Sequence, residues 1–388
     1  MRRLLVATFI IIFCSLSHGQ NFEIPAFGTD TTFEMITWNI EWFPKNGQTT
    51  MDYVSEIIED LEVDLISMQE LDDTIAFKSM ISVMNNYEGY FKSGYFAGLA
   101  YIYNFRVLEI DTIYEIYTTQ PYWRPFPRSP MVMELRFKGE KFIIINNHFK
   151  CCGDGILDES DDWDEEKRRL DASNLLRDYI DANFSNENVM LTGDLNDDIA
   201  ESISNNVFLG FINEPSNYLF ADMDIAYGST NNWSYPTWPS HLDHTLITSA
   251  TFEEFANEGS DIETLRIDDY FSSWSSYDAN VSDHRPVGIK IYSDLFVGNK
   301  EFAIQKEYFT CHPNPISGRA TLQFPQIKKQ GMVILIFNMH GELVKRFDLS
   351  LHQTHINWDT SILPGGIYVA RLQHWGTTKE TKKVVILE

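Results

Sequence analysis

Two apolar runs that end abruptly in polar clusters constrain this chain more than any other feature. Phe142-Ile143-Ile144-Ile145 feeds Asn146-Asn147-His148, and Val189-Met190-Leu191 feeds Gly193-Asp194-Leu195-Asn196-Asp197. Short β-branched and aliphatic runs of this kind are expected as buried strands. A buried strand that ends in His, Asp or Asn delivers that side chain to the rim of a sheet on a rigid support, where reactive sites are usually built.

The same grammar recurs elsewhere. Phe33 to Asn39 and Asp64 to Glu70 are apolar runs ending in polar groups, and the strand expected at Val287 to Tyr292 is preceded by Ser282-Asp283-His284. Further strands are expected over Phe96–Tyr103, Val107–Tyr117 and Leu242–Thr248, with a hairpin of Val132–Phe137 and Lys141–Asn147 turning at Lys138-Gly139-Glu140. Val54, Ile57, Ile58 and Leu61 have helical spacing within Thr50–Leu61, as do Leu170, Leu175, Leu176, Tyr179 and Ile180 within Lys167–Phe184. Pro121 to Pro130 holds four prolines and is expected as a loop. The acidic stretch Asp154 to Glu166 could bind Ca²⁺, but it lacks the regular ligand spacing of a known loop and is expected as a solvated face. Strands interspersed with a few helices predict an α+β domain with stacked sheets over residues 21–295.

The chain starts with Met1-Arg2-Arg3, an apolar run from Leu4 to Cys14, then small residues up to Gly19. That pattern predicts a signal peptide over residues 1–19. The run is too short to span a bilayer, which takes roughly 20 residues, so no stable membrane insertion is expected. Without residues 1–19, 28 basic residues face 56 acidic ones, a net charge of −28. Such a surface argues against nonspecific, charge-driven binding of nucleic acid. It does not exclude an enzyme that holds phosphate through a cation, which reverses the local field. Export would permit disulfides; the adjacent Cys151 and Cys152 could pair, or all three remaining cysteines could be thiols. From Lys306 onward the balance changes to 10 basic against 6 acidic residues. That shift, with alternating strands separated by turns, predicts a small all-β sandwich over 306–388.

In order along the chain, Trp38-Asn39-Ile40, Gln69-Glu70, Asn147-His148, Gly193-Asp194-Leu195-Asn196, Leu242-Asp243-His244 and Ser282-Asp283-His284-Arg285-Pro286 resemble the motifs of the endonuclease/exonuclease/phosphatase (DNase I-like) superfamily. The resemblance covers roughly residues 33–292. It implies a four-layer α/β sandwich, two stacked sheets flanked by helices, and a divalent-metal-dependent phosphoric ester hydrolase. It implies Glu70, Asn39 and Asp283 as ligands or holders of Mg²⁺ or Mn²⁺, hard ions that prefer oxygen. His284 would be the general base, oriented by Asp243, because a free imidazole titrates near neutrality. Asp194 and Asn196 would position water and phosphate, and His148 would donate to a phosphate oxygen. One departure stands out. DNase I-like nucleases pair the histidine matching His148 with a glutamate on a preceding strand, and Gly98 to Tyr103 contains no acid.

Likewise His312-Pro313-Asn314-Pro315, Ile336 to Gly341, Leu363-Pro364-Gly365-Gly366-Ile367-Tyr368 and Lys382 to Val385 resemble a type IX secretion C-terminal sorting domain. It implies export by that machinery and release or display at the cell surface. The expected function is a secreted, monomeric phosphodiesterase acting on nucleic acid. A phosphatase or phospholipase-C-like hydrolase of inositol phosphates or phospholipid head groups is the first alternative; a non-catalytic surface adhesin is the second. Asp197-Asp198 stand where inositol phosphatases place Arg or Lys, which disfavours the inositol case.

Overall fold

The computed structural model describes residues 24–92, 94, 97–298, 309–324, 332–350, 353–374 and 377–387. The expected signal peptide lies outside the described residues. The strands before residue 300 are β1 (Thr32–Phe43), β2 (Leu65–Leu71), β3 (Tyr87–Phe91), β4 (Gly98–Asn104), β5 (Leu108–Glu115), β6 (Met131–Phe137), β7 (Glu140–His148), β8 (Asn188–Asp194), β9 (Tyr218–Phe220), β10 (Asp243–Thr248), β11 (Asp261–Thr264) and β12 (Val287–Tyr292). They form two six-stranded sheets, ordered β11-β12-β1-β2-β4-β3 and β5-β6-β7-β8-β10-β9. The three longest helices are α1 (Gln48–Leu61), α2 (Thr74–Val83) and α3 (Glu165–Asn183).

Strand alternation builds the layers. On β1, Phe33 and Met35 point one way and Ile36, Trp38 and Ile40 the other. Phe33 and Met35 meet Phe142 and Ile144 of β7 between the sheets. Ile36 and Trp38 pack beneath Val54, Ile57 and Ile58 of α1 and Phe77 of α2. On β7 the intervening residues Ile143 and Ile145 pack against Leu176 and Ile180 of α3. Both faces of each central strand are therefore buried, which is why these runs are almost continuously apolar. The result is the four-layer sandwich. The β6–β7 hairpin closes on Lys138 and Gly139, with φ 49° and 92°, as a two-residue turn between twisted strands requires.

Several elements differ from the sequence reading, the short strands β9 and β11 among them. α2 is new, and only Phe77 and Met80 of it are buried. β3 is new, an edge strand with Glu88 and Gly89 exposed. β1 does not end at Asn39 but continues to Phe43 through a register shift against β2.

The C-terminal region has its own apolar cluster, centred on Phe309, Ile334, Ile336, Trp358, Ala370 and Val384. Its strands are β13 (Thr310–Ser317), β14 (Arg319–Gln323), β15 (Met332–Asn338), β16 (Leu343–Asp348), β17 (His355–Asp359), β18 (Gly366–His374) and β19 (Thr377–Ile386). They form two small antiparallel sheets, β16-β15-β18-β19 and β13-β14-β17, linked by one parallel pairing of Ile316 with Ile386. Among the described residues no helix is long and apolar enough to cross a membrane.

Candidate active site

Strand register assembles the site. β7 and β8 are parallel, with His148 opposite Asp194, and antiparallel β10 places Asp243 opposite Asp194. Three polar residues thus stand in one row across the second sheet. In the first sheet, parallel β1 and β2 set Asn39 opposite Gln69, just before Glu70. A buried amide tie joins the two rims. Gln69 Nε2 donates to Asn146 Oδ1 at 2.8 Å, and Asn146 Nδ2 donates to the carbonyls of Met68 and Ala100 at 3.1 and 3.0 Å.

At this rim β1 bulges. From Asn39 to Phe43 it advances four residues while β2 advances from Gln69 to Leu71. The bulge holds Glu41 and Trp42 at φ 42° and 49°, and Glu70 opposite is at φ 63°. Left-handed conformations in non-glycine residues are strained and cluster where geometry serves a site. Here they turn groups inward. Trp42 N–H donates to Glu70 Oε2 at 3.0 Å, and Glu41 Oε2 accepts from Asp283 N–H at 2.9 Å.

Asp194 Oδ2 is the hub. It accepts from Asn39 Nδ2 at 2.8 Å and lies 3.5 Å from His148 Nε2 and 3.9 Å from His284 Nε2. Its other oxygen accepts from Asn196 N–H at 3.0 Å. Glu70 Oε1 is 3.2 Å from Asn39 Nδ2 and 3.9 Å from His148 Nε2, and Asp283 Oδ1 is 4.0 Å from His284 Nε2. His284 Nδ1 lies 2.7 Å from Asp243 Oδ2. Its backbone is clamped: N–H donates to Ser282 Oγ at 2.9 Å, and its carbonyl accepts from Tyr277 at 2.7 Å and Trp38 at 3.4 Å. All eight residues singled out in the sequence are therefore at this one rim. Asn39 differs in detail: it turns its amide nitrogen to the two carboxylates, while its oxygen accepts from Glu41 N–H at 3.0 Å. In this arrangement it bridges Glu70 and Asp194 rather than offering them an oxygen ligand.

The electrostatics separate the two histidines. Burial opposes charge on His284, but the Asp243 carboxylate and its hydrogen bond, then Asp194 and Asp283, outweigh it and push the imidazole up to about 10. Burial, with the positive charges of Arg128 and His284, holds His148 well below the usual imidazole range. Burial pushes Asp194 up to about 7, against the His284 charge and with help from Asp243 and Glu70. Asp283 rises to about 6 for the same leading reason. The expectation that His284 is the base rested on a free imidazole. In its actual surroundings the neighbouring carboxylates favour the protonated imidazole, while burial brings Asp194 up to about 7.

Negative charge is in excess here. The carboxyl groups of Glu70, Asp194, Asp243 and Asp283 surround the His284 imidazole and the half-buried guanidinium of Arg128. An all-oxygen set of carboxylates with excess charge suits a hard divalent cation. Glu70, Asp194 and Asp283 do not close into a tight three-carboxylate cage, which fits an ion that keeps several waters, as Mg²⁺ does.

Several residues at the site carried no sequence signal. Glu41 owes its place to the bulge. Arg128 lies in the four-proline loop, yet it senses the charges of Glu70 and Asp194. Tyr235 packs its ring against that of His284, tilted by 42° with centroids 4.8 Å apart. Its loop is held by Arg285, which binds Asp268 through two nitrogens at 2.8 and 2.7 Å and the Asn231 carbonyl at 2.8 Å. His241 and His244 are buried around Asp222 Oδ2, at 3.0 and 2.6 Å. His148 Nδ1 is buried without a hydrogen-bond partner, in keeping with the missing strand acid. Trp38 is core, but Trp42 is 56% exposed beside Glu70. Cys151 and Cys152 are free thiols with sulfurs 3.1 Å apart.

Comparison with known proteins follows the same division. Residues 36–284 match the model of the Endonuclease/Exonuclease/phosphatase family, and residues 310–387 match that of the Secretion system C-terminal sorting domain. No curated protein matches the chain. Among solved structures, Danio rerio TDP2 complexed with single strand DNA product is similar with a TM-score of 0.50 at 12% identity, covering 68% of this chain and 99% of that one. Bacteroides thetaiotaomicron mannosyl-6-phosphatase gives 0.48 at 14% identity, covering 67% and 100%. At such identities the likeness is one of fold.

Proposed function

The chain belongs to the endonuclease/exonuclease/phosphatase family, and on that premise we propose that it is a secreted, divalent-metal-dependent phosphodiesterase, an extracellular nuclease that cleaves nucleic-acid phosphodiester bonds. The observation that carries the reading is the convergence on Asp194 Oδ2 of two histidines whose surroundings push their protonation in opposite directions. Titratable neighbours whose surroundings push them apart divide into proton acceptor and donor.

Glu70, with Asp283 and Asp194 beside it, would hold Mg²⁺ or Mn²⁺. A bound divalent cation neutralises phosphate charge and stabilises the leaving oxygen. Asp194 takes the proton of the attacking water, which Asn196 helps to position. His284, kept protonated by Asp243, donates to a phosphate oxygen, and neutral His148 donates from Nε2. Arg128 adds a second fixed positive charge. Exposed Trp42 offers a base a stacking face next to Glu70. The paired acids Asp197 and Asp198 disfavour a polyphosphorylated inositol. The signal peptide and the sorting tail support export through type IX secretion to the surface or beyond, as a monomer.

The test is a substrate panel on the mature chain with Mg²⁺ or Mn²⁺: plasmid DNA, RNA, bis-p-nitrophenyl phosphate and p-nitrophenyl phosphate. The expected result is cleavage of DNA or RNA, with diester turnover at least about tenfold faster than monoester turnover. Turnover of monoesters alone would remove the nuclease assignment.

A further inference from the structure

Outside the rim, Asp154, Asp164 and Glu166 each present a carboxylate oxygen, and these atoms all lie within 4.8 Å of one another. Acidic stretches of this sort are commonly solvated, but one member of this one is not. Glu166 is 2% exposed, and its Oε2 is buried without any hydrogen-bond partner. A buried carboxylate oxygen left unpaired is unfavourable unless something else satisfies it. The chain is also moulded around this carboxylate. Gly153, at φ 110°, sits so close that a Cβ there would lie 2.3 and 2.6 Å from the two Glu166 oxygens. Each acid uses one oxygen on loop N–H groups: Glu166 Oε1 on Gly155 at 2.8 Å, Asp154 Oδ1 on Ile156 at 3.0 Å, and Asp164 Oδ1 on Lys167 at 2.8 Å and Asp158 at 3.3 Å.

We propose that Asp154, Asp164 and Glu166 form a Ca²⁺ site that stiffens the rim of the active site. Three carboxylates against one guanidinium, Arg169 at 3.1 Å from Glu166 Oε1, leave a formal charge of −2 for a divalent ion to balance. The donors are all oxygen, which selects a hard cation over zinc. Ca²⁺–oxygen distances are about 2.4 Å, so ligands on opposite sides of the ion stand about 4.8 Å apart. Carboxylate oxygens no more than 4.8 Å apart can therefore share one such ion. Exposed Asp154 leaves the outer side open for the waters that complete a six- to eight-fold shell.

Arg169 carries the effect to the active site. Besides Glu166 it binds Asp197 Oδ2 at 2.7 Å and the carbonyls of Lys150 and Cys152 at 2.8 and 2.7 Å. These residues lie in the two segments that leave β7 after His148 and β8 after Asp194. An ion on Glu166 fixes the carboxylate that orients Arg169, and Arg169 fixes both segments. The site is separate from the catalytic cluster and does not depend on the reaction assigned to it.

Terbium luminescence tests this, because Tb³⁺ substitutes for Ca²⁺ and Trp163, 69% exposed and next to Asp164, can sensitise it. The mature chain, stripped with EGTA, is titrated as wild type and as Glu70→Gln, whose rim is impaired. Saturable emission is expected in both, displaced by Ca²⁺ at lower concentration than by Mg²⁺. Asp154→Asn, isosteric and at an exposed position, is expected to weaken Tb³⁺ binding at least tenfold in either background. Ca²⁺ is expected to raise the thermal midpoint of wild type and to raise that of Asp154→Asn by less than half as much. Absence of saturable emission, equal affinity in Asp154→Asn, or loss of emission in Glu70→Gln alone would each overturn the proposal.

Discussion

Replacing His284 is expected to lower phosphodiester turnover by about 10²- to 10⁴-fold, the range for removing a positioned proton-transfer group. Two variants separate chemistry from folding. His284→Ala leaves Asp243, which is fully buried, without its 2.7 Å partner, and an orphaned buried carboxylate destabilises by about 1–3 kcal/mol or more. His284→Gln can still donate to Asp243 but cannot carry the positive charge. The expected outcome is that both lose activity to a similar extent while Gln stays closer to wild type in urea unfolding. The pH profile adds a second signature. Activity should rise as Asp194, pushed up to about 7, gives up its proton, and fall as His284, pushed up to about 10, loses its own. A bound cation favours the deprotonated forms, so both limbs move to lower pH when metal is present. His284→Gln should lose the alkaline limb and keep the acidic one. Wild-type turnover in both variants would exclude His284 from the reaction.

Gly193→Ala is expected to be the most damaging single-methyl change among the described glycines. At φ 143° a Cβ here would lie 1.9 Å from the carbonyl oxygen of Asn147, with that residue's C and N at 2.8 and 3.0 Å. All three are backbone atoms, so no rotamer relieves the clash, and β7 and β8 must part. They are parallel neighbours with Asn147 opposite Gly193 and His148 opposite Asp194. Forced separation of packed strands should lower stability by at least ~3 kcal/mol. Whatever still folds carries His148 and Asp194 out of register, and a displacement near 1 Å can cost about 10²-fold in rate. The measurement is kcat/KM on bis-p-nitrophenyl phosphate with urea unfolding of the same preparation. A variant with unchanged midpoint and rate would mean that β7 and β8 are not in this contact.

What could be read in the sequence follows from what a short apolar run can and cannot encode. β7, β8 and β12 were legible because both faces are buried and each adjoins a polar cluster. The strand-end placement of the eight candidate residues was legible for the same reason. Register was not: that His148, Asp194 and Asp243 share one row depends on how strands pair, and pairing leaves no local mark. α2 was missed although Phe77, Met80, Ile81 and Met84 stand at helical spacing and pack on one cluster, because exposed Ile75 and Val83 blur that stripe. A further local signal was Asp73, whose side chain accepts from the N–H groups of Ile75 and Ala76. Glu41 and Arg128 were missed because a bulge and a folded-back proline loop are tertiary events. The proton balance of His284 was not legible, since Asp243 and Asp194, the leading carboxylates around it, are remote in sequence.

The proposed function places phosphodiester hydrolysis with a divalent cation at one rim of carboxylates and histidines. The most direct test is the rate of bis-p-nitrophenyl phosphate hydrolysis by the mature chain stripped with EDTA, then supplied with Mg²⁺ or Mn²⁺, in wild type and Glu70→Gln. The prediction is no turnover without metal, full recovery of wild type on resupply, and a rate at least about 10²-fold lower in Glu70→Gln at the same metal concentration. Undiminished turnover in EDTA, or equal rates in the two proteins, would contradict it.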